Sequence, residues 1–234
     1  MPLLLSLAGV LGLGVPPSHA LFLSRDDEVR IGRDVDRDIV KQYGLSKDAK
    51  GNERVQRIAA EVVKRSSRSG KLQFHFRLLA TDQVNALAAP GGYVYATDGL
   101  LDFIGHDDEA LACILGHEIA HVDKEHGVDN LERALGTQLA IGLVLGGDST
   151  KRIVSVAANL VLLGYSRDQE RQADRVGMRY ADEAGYDARG MVRFLEKLLK
   201  AKGSSSKVET FFQTHPATKD RLARAKKFIE NQNL

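Results

Sequence analysis

The chain of 234 residues holds one cysteine, no tryptophan, five prolines and a net charge of only +2, from 33 basic and 31 acidic side chains. Each scarcity excludes something. A lone Cys113 permits no intramolecular disulfide and no multi-cysteine metal knuckle, so any structural staple must come from elsewhere. Basic and acidic residues interleave along the chain instead of forming a basic block, which argues against a nucleic-acid partner. No apolar run reaches the ~18 residues of a membrane span. The two longest in the body of the chain, 139–145 and 153–163, are separated by the polar stretch 146–152, and buried core helices are expected there. What is present, 43% hydrophobic and 27% charged residues, is the balance of an ordinary globular protein of one domain.

Residues 1–20 contain no Asp, Glu, Lys or Arg, carry an apolar run at 3–15 and end Ser18-His19-Ala20, a small-x-Ala pattern. That pattern reads as a secretory signal with cleavage near Leu21, although the usual positive start is missing. The expected organisation is a signal peptide at 1–20 and one domain at 21–234. No cysteine follows the cleavage site, so a lipid anchor is not indicated.

Periodicity divides the body into helices around a small sheet. Ser24 and Asp27 form a capping box ahead of Ile31, Val35 and Ile39, and a helix is expected to end near Gly44. A second helix is expected from Asn52, with Val55, Ile58, Ala59, Val62 and Val63 on one stripe. Leu72, Phe74 and Phe76 then alternate with polar residues as a strand does, and 85–89 and 93–97 flank Pro90-Gly91-Gly92 as two more short strands. From Asp107 the pattern is helical: 108–126, 128–145, 151–163, a helix capped by Ser166 and Gln169, another capped by Asp187, a linker at 203–206 and a basic last helix opened by Thr214-His215-Pro216. The fold class is therefore α+β, helix-dominated with a small β-sheet.

The chemistry is concentrated in His117-Glu118-Ile119-Ala120-His121, an H-E-x-x-H motif inside the 108–126 helix. An i, i+4 spacing sets both imidazoles on one helix face, where they can take two corners of a tetrahedral zinc site at about 2.0–2.1 Å. Glu118 lies beside them, placed to take a proton from water and pass it to a leaving amine. Glu170, on the polar start of a later helix, is available as third ligand; two His plus one Glu leave zinc's fourth position open. Asp174, one turn on, faces the same way and can accept the second N–H of His117 or His121. Cys113 reads as a small buried hydrophobe, and His75, His106 and His126 as structural or surface residues, His126 falling off the ligand face.

These residues, together with 85–92, Tyr93-Val94-Tyr95, Gly99-Leu100-Leu101, Asp108-Glu109 and His215-Pro216 followed by Arg221, form an ordered series. It resembles the HtpX and CAAX prenyl protease family of zinc metallopeptidases, peptidase family M48, over about 28–228, and most of all that family's soluble periplasmic members. The resemblance implies a zincin-like domain of the gluzincin type with one Zn2+ per chain, held by His117, His121 and Glu170, and Glu118 as general base. It implies further that Gly92, Tyr93, Val94 and Tyr95 hold an extended substrate along a sheet edge, paired through its main chain. His215 is then a donor to the oxyanion or a fourth metal ligand, with Arg221 in support. The implied activity is endopeptidase cleavage of misfolded or unassembled cell-envelope proteins, in the periplasm, with polypeptides as partners and a peripheral membrane contact through the Lys226-Lys227 helix as a lesser expectation. Two alternatives share the motifs: a latent zinc-binding chaperone or assembly factor, and a membrane-embedded protease.

Overall fold

The computed structural model describes residues 23–142, 149–203, 205–215 and 218–232; the signal-peptide reading of 1–20 and the end of the 139–145 run lie outside them. The first helix, α1 (Arg25–Tyr43), starts at the capping box read from Ser24 and Asp27 and buries Ile31, Val35 and Ile39. Helix α2 (Ala49–Val63) begins three residues before the expected Asn52, because Asp48 supplies the N-cap by accepting from the Lys50 amide. Strands β1 (His75–Leu79), β2 (Ala86–Ala89) and β3 (Tyr93–Thr97) follow, the last two joined by a 3-10 turn at Pro90–Gly92. The first strand lies further along than the 72–76 alternation indicated, because its register is set by parallel pairing of His75–Leu79 with Tyr93–Thr97.

The strand order is β1-β3-β2. β3 is thus the centre of the sheet, parallel to β1 on one side and antiparallel to β2 on the other. This corrects the assignment of Gly92, Tyr93, Val94 and Tyr95 to a substrate-holding edge: both rims of that strand are already hydrogen-bonded, and the outer strands are β1, whose rim is bridged by Leu45 to Leu79, and β2.

The two faces of β3 serve two cores, as alternation of side chains across a strand requires. Tyr93 and Tyr95 face a cluster with Ile31, Val35, Leu131 and Val161, to which α1, α5 (His126–Gly142) and α6 (Ser149–Leu163) contribute. Val94 and Ala96 face the larger cluster, built on α2, α3 (Asp98–Ile104), α4 (Asp108–Asp123), α7 (Arg167–Glu183) and α8 (Arg189–Ala201). The expected 108–126 helix ends at Asp123, with Glu125 in the left-handed region at φ 56°. The 203–206 stretch does not run as a linker to the last helix. Ser205 instead caps a further helix, α9 (Ser206–Thr214), whose Val208, Phe211 and Thr214 are buried, before α10 (Thr218–Gln232). His215 is therefore the C-cap of α9 and not the start of the last helix.

Candidate metal centre and active site

Helix α4 is the centre of the larger core: every residue from Ala110 to Asp123 is buried. Apolar side chains all round such a helix are what full burial demands, and its polar exceptions are Asp123 at its end and, within the motif, Glu118 and the two histidines that need partners. The partners come from α7, which crosses α4 with the backbones in contact. A Cβ on Gly116 would lie 2.5 Å from the Gly177 carbonyl oxygen, and one on Gly177 only 2.4 Å from the His117 nitrogen. The glycine pair sets the approach, and Glu170, two turns earlier on α7, is brought against the H-E-x-x-H face.

Four side chains converge. One ligand atom from each of His117, His121, Glu170 and His215 lies within 4.8 Å of the others, and all four residues are 2% exposed or less. The two Nε2 atoms of His117 and His121 are 3.0 Å apart; Glu170 Oε1 is 3.3 Å from the His121 Nε2 and its Oε2 3.6 Å from the His117 Nε2. His215 Nδ1 is 3.2 Å from both Glu170 oxygens, while its Nε2 is 3.3 Å from the Ala86 carbonyl oxygen on β2 and 3.7 Å from Glu118 Oε1. This donor set, three imidazoles and a carboxylate, could hold a metal ion. Glu118 Oε2 is buried yet has no hydrogen-bond partner among the described residues.

Charge around the cluster is arranged in layers. Asp174 Oδ1 lies 2.9 Å from His117 Nδ1 and accepts, with Oδ2, from Arg221 at 2.7 and 2.8 Å. Arg221, 2% exposed, also places Nη1 2.8 Å from Glu170 Oε2. Burial by itself would raise the Asp174 carboxyl; Arg221 and His117 outweigh it and hold it down at about 2. Burial likewise pushes His117 down, but the charges of Glu170 and the Asp174 hydrogen bond win, lifting it to about 9. At His121 burial prevails and the imidazole is held well below its usual range. Glu118 is raised, mainly by burial, whereas Glu170 is pulled far down against its burial by His215, Arg221 and His117.

Three residues beside the cluster, His126, Gln172 and Tyr165, were not assigned to the site from sequence. His126 is 2% exposed, with Nδ1 2.9 Å from His121 Nδ1 and Nε2 2.9 Å from Gln172 Oε1. It is buried as a structural histidine would be, but against the cluster, because the break after Asp123 turns it back toward α4. Tyr165 stacks on His121 with ring centroids 3.7 Å apart and donates to the Ala88 carbonyl oxygen at 3.0 Å. The only available signal for it was its place immediately before the Ser166 cap. Cys113 is buried, its thiol pushed up to about 12 by burial, and takes no part. His75 stacks on Tyr93, away from the cluster.

Helix-borne histidines and a carboxylate, buried beside a small sheet, define the domain of a zincin-like metallopeptidase. The chain belongs to peptidase family M48, whose profile matches residues 49–229. It is 32% identical over 174 residues to the beta-barrel assembly-enhancing protease of Escherichia coli (strain K12), covering 68% of this chain and 35% of that protein. It is also similar to the mitochondrial metalloendopeptidase OMA1 of Schizosaccharomyces pombe, 26% identical over 215 residues (88% of this chain, 62% of that one). A third relative is the metalloprotease LoiP of Escherichia coli (strain K12), 27% identical over 153 residues (63% and 59%). The chain thus spans about a third of the length of the assembly-enhancing proteases it matches. Among the described residues no helix is long and apolar enough to cross a membrane.

Proposed function

We propose that the protein is a zinc-dependent endopeptidase in which His117, His121 and Glu170 hold the metal and Glu118 is the general base. The observation that carries this is the buried convergence of the four ligand atoms within 4.8 Å. The donors fit zinc: two nitrogens at about 2.05 Å from a tetrahedral ion are about 3.3 Å apart, and the histidine Nε2 atoms stand at 3.0 Å. Bound zinc supplies Lewis acidity, polarising the scissile carbonyl and acidifying water. The chain's own groups do the rest. Glu118, raised by burial and with one oxygen free of partners, takes the proton of the attacking water and delivers it to the leaving amine. His215, 3.7 Å from Glu118, is suited to donate to the oxyanion or to complete the metal's coordination. Asp174 fixes His117 and is itself fixed by Arg221.

Substrate polypeptide is better placed along β2 than along β3, since β2 is a rim of the sheet and its Ala86 carbonyl faces the cluster. An extended peptide pairing there displaces His215 from Ala86 and Tyr165 from Ala88. By similarity to the assembly-enhancing proteases, the substrates are misfolded or unassembled envelope proteins and the setting is the periplasm, reached through a signal peptide at residues 1–20.

The test is degradation of casein, a loosely folded protein, by the zinc-loaded chain beside Glu118→Gln, with metal content measured for both. Cleavage that disappears in a variant still holding its metal supports the assignment. A folded, zinc-loaded wild type that leaves casein intact overturns the endopeptidase reading.

A further inference from the structure

The two histidines of the H-E-x-x-H motif have unlike outer partners. His117 turns its Nδ1 to a carboxylate, Asp174, at 2.9 Å. His121 turns its Nδ1 to another imidazole, His126, also at 2.9 Å. An imidazole is an ambiguous partner, because either of its nitrogens can carry the proton; a carboxylate is not. The ambiguity is removed one step further out, where His126 Nε2 meets Gln172 Oε1 at 2.9 Å.

We propose that His126 and Gln172 form a proton-ordering relay that makes His121 a metal ligand, with His126 its positioning residue. This rests on the metal site proposed above. An amide oxygen only accepts, so Gln172 requires the hydrogen of His126 to be on Nε2. His126 Nδ1 is then bare and accepts from His121 Nδ1–H. That in turn leaves His121 Nε2, the atom 3.0 Å from its His117 counterpart, with a free lone pair for the ion. Reversing the amide reverses every link: the Gln172 amino group would donate to His126 Nε2, His126 Nδ1–H would donate to His121, and the hydrogen of His121 would sit on the nitrogen facing the metal. A single side-chain orientation on α7 therefore decides whether a nitrogen on α4 can bind.

The surroundings favour the binding arrangement. His126 is 2% exposed and cannot exchange its partners for water. Its neighbour Tyr165 covers His121 face-on, fixing the ring plane without offering Nδ1 an alternative acceptor, since the phenol is committed to Ala88. Gln172 borders an open groove of about 560 Å³ between α7 and α10, lined also by Asp174, Met178 and Phe228. Gln172, the far end of the relay, and Asp174, the partner of His117, thus both line this groove.

The relay is tested by metal affinity rather than by catalysis. Chelator competition for zinc is run on the wild type, His126→Leu and His126→Asn, and thermal unfolding of the three metal-free proteins reports any general loss of structure. Loss of such an outer partner weakens metal binding by roughly 10–100-fold, and that loss is expected for His126→Leu. Asparagine offers an oxygen near the Nδ1 position, so His126→Asn is expected to return affinity to within about threefold. A purely structural role would instead lower the metal-free melting temperature while leaving affinity unmoved, and that result overturns the relay. Because a leucine variant can fail to fold, the 15N imidazole spectrum of the zinc-loaded wild type gives a second reading. Hydrogen on Nδ1 of His121 and on Nε2 of His126 supports the relay; hydrogen on His126 Nδ1 overturns it. A wild type that takes up no zinc at all overturns the metallopeptidase proposal and the relay with it, whereas equal affinity in wild type and His126→Leu removes the relay alone.

Discussion

Replacing Gly177 by alanine sets two effects of opposite sign against each other at the point where α4 and α7 touch. On helix propensity alone, alanine in the interior of α7 stabilises by about 1 kcal/mol. Against that stands the new methyl group, whose carbon would lie 2.4 Å from the His117 nitrogen and 2.6 Å from the Gly116 carbonyl carbon and the His117 Cα. Ordinary contact begins near 3.4 Å, so the two helices must part by about 1 Å, and the obstruction is backbone, which no rotamer change relieves. Overpacking of this kind costs about 1–3 kcal/mol, and more where backbone must move. The net expectation is a loss of about 2 kcal/mol, which for a chain of this size lowers the melting temperature by about 4–8 °C. A displacement of about 1 Å also exceeds the ~0.5 Å within which a ligand set must be held, so zinc affinity should fall at least tenfold. The comparison is Gly136→Ala on α5, where an added Cβ meets nothing within 4 Å; that variant should gain about 1 kcal/mol and keep its zinc. Calorimetry and chelator competition on both variants decide the matter. A Gly177→Ala protein as stable as Gly136→Ala would refute the close-crossing account.

Two further outcomes follow from the charge arrangement. Arg221→Met removes the cation from between two buried carboxylates, Asp174 and Glu170, and should cost the metal-free protein about 3–5 kcal/mol. Added zinc should recover part of that loss by supplying positive charge at Glu170, so unfolding curves with and without metal should differ more for the variant than for the wild type. Acid should also weaken the start of α4, where Asp107 caps the helix by accepting from Ala110 and pairs with Arg193. The Arg193 hydrogen bond holds the Asp107 carboxyl below the usual aspartate range. A carboxyl depressed in the folded state contributes fully above its unfolded value and loses that contribution as pH falls through the folded one. Asp107→Asn keeps an oxygen for the cap but cannot titrate, so its stability should fall less steeply than the wild type's below pH ~4; parallel slopes would contradict the assignment.

Sequence by itself reached what local rules govern. The capping boxes at Ser24 and Ser166 stand where the spacing puts them, because a cap is closed by residues three positions apart. The strand at Tyr93–Thr97 and the one-face placement of His117 and His121 follow in the same way from the periods of strand and helix. Glu170 was legible for a related reason: a carboxylate on the polar face of a well-capped helix, with Asp174 one turn on, needs no distant partner to be noticed. The nine-residue α9 was not, since its buried Val208, Phe211 and Thr214 gain meaning only against the core they meet.

Only the tertiary structure decided the rest. The position of β3 between its neighbours depends on pairings with residues up to 18 positions away, to which its own pattern is indifferent. The end of α4 is marked by Asp123, whose carboxylate accepts from Ser66, Ser67 and Tyr180, all more than 50 residues distant. That break turns His126 back onto His121, where an unbroken helix would have carried it off the ligand face. Local periodicity fixes which way a side chain points from its own element. Which elements touch, and hence which histidine meets which, is set by long-range packing, and in this protein by two glycines thin enough to let α4 and α7 meet.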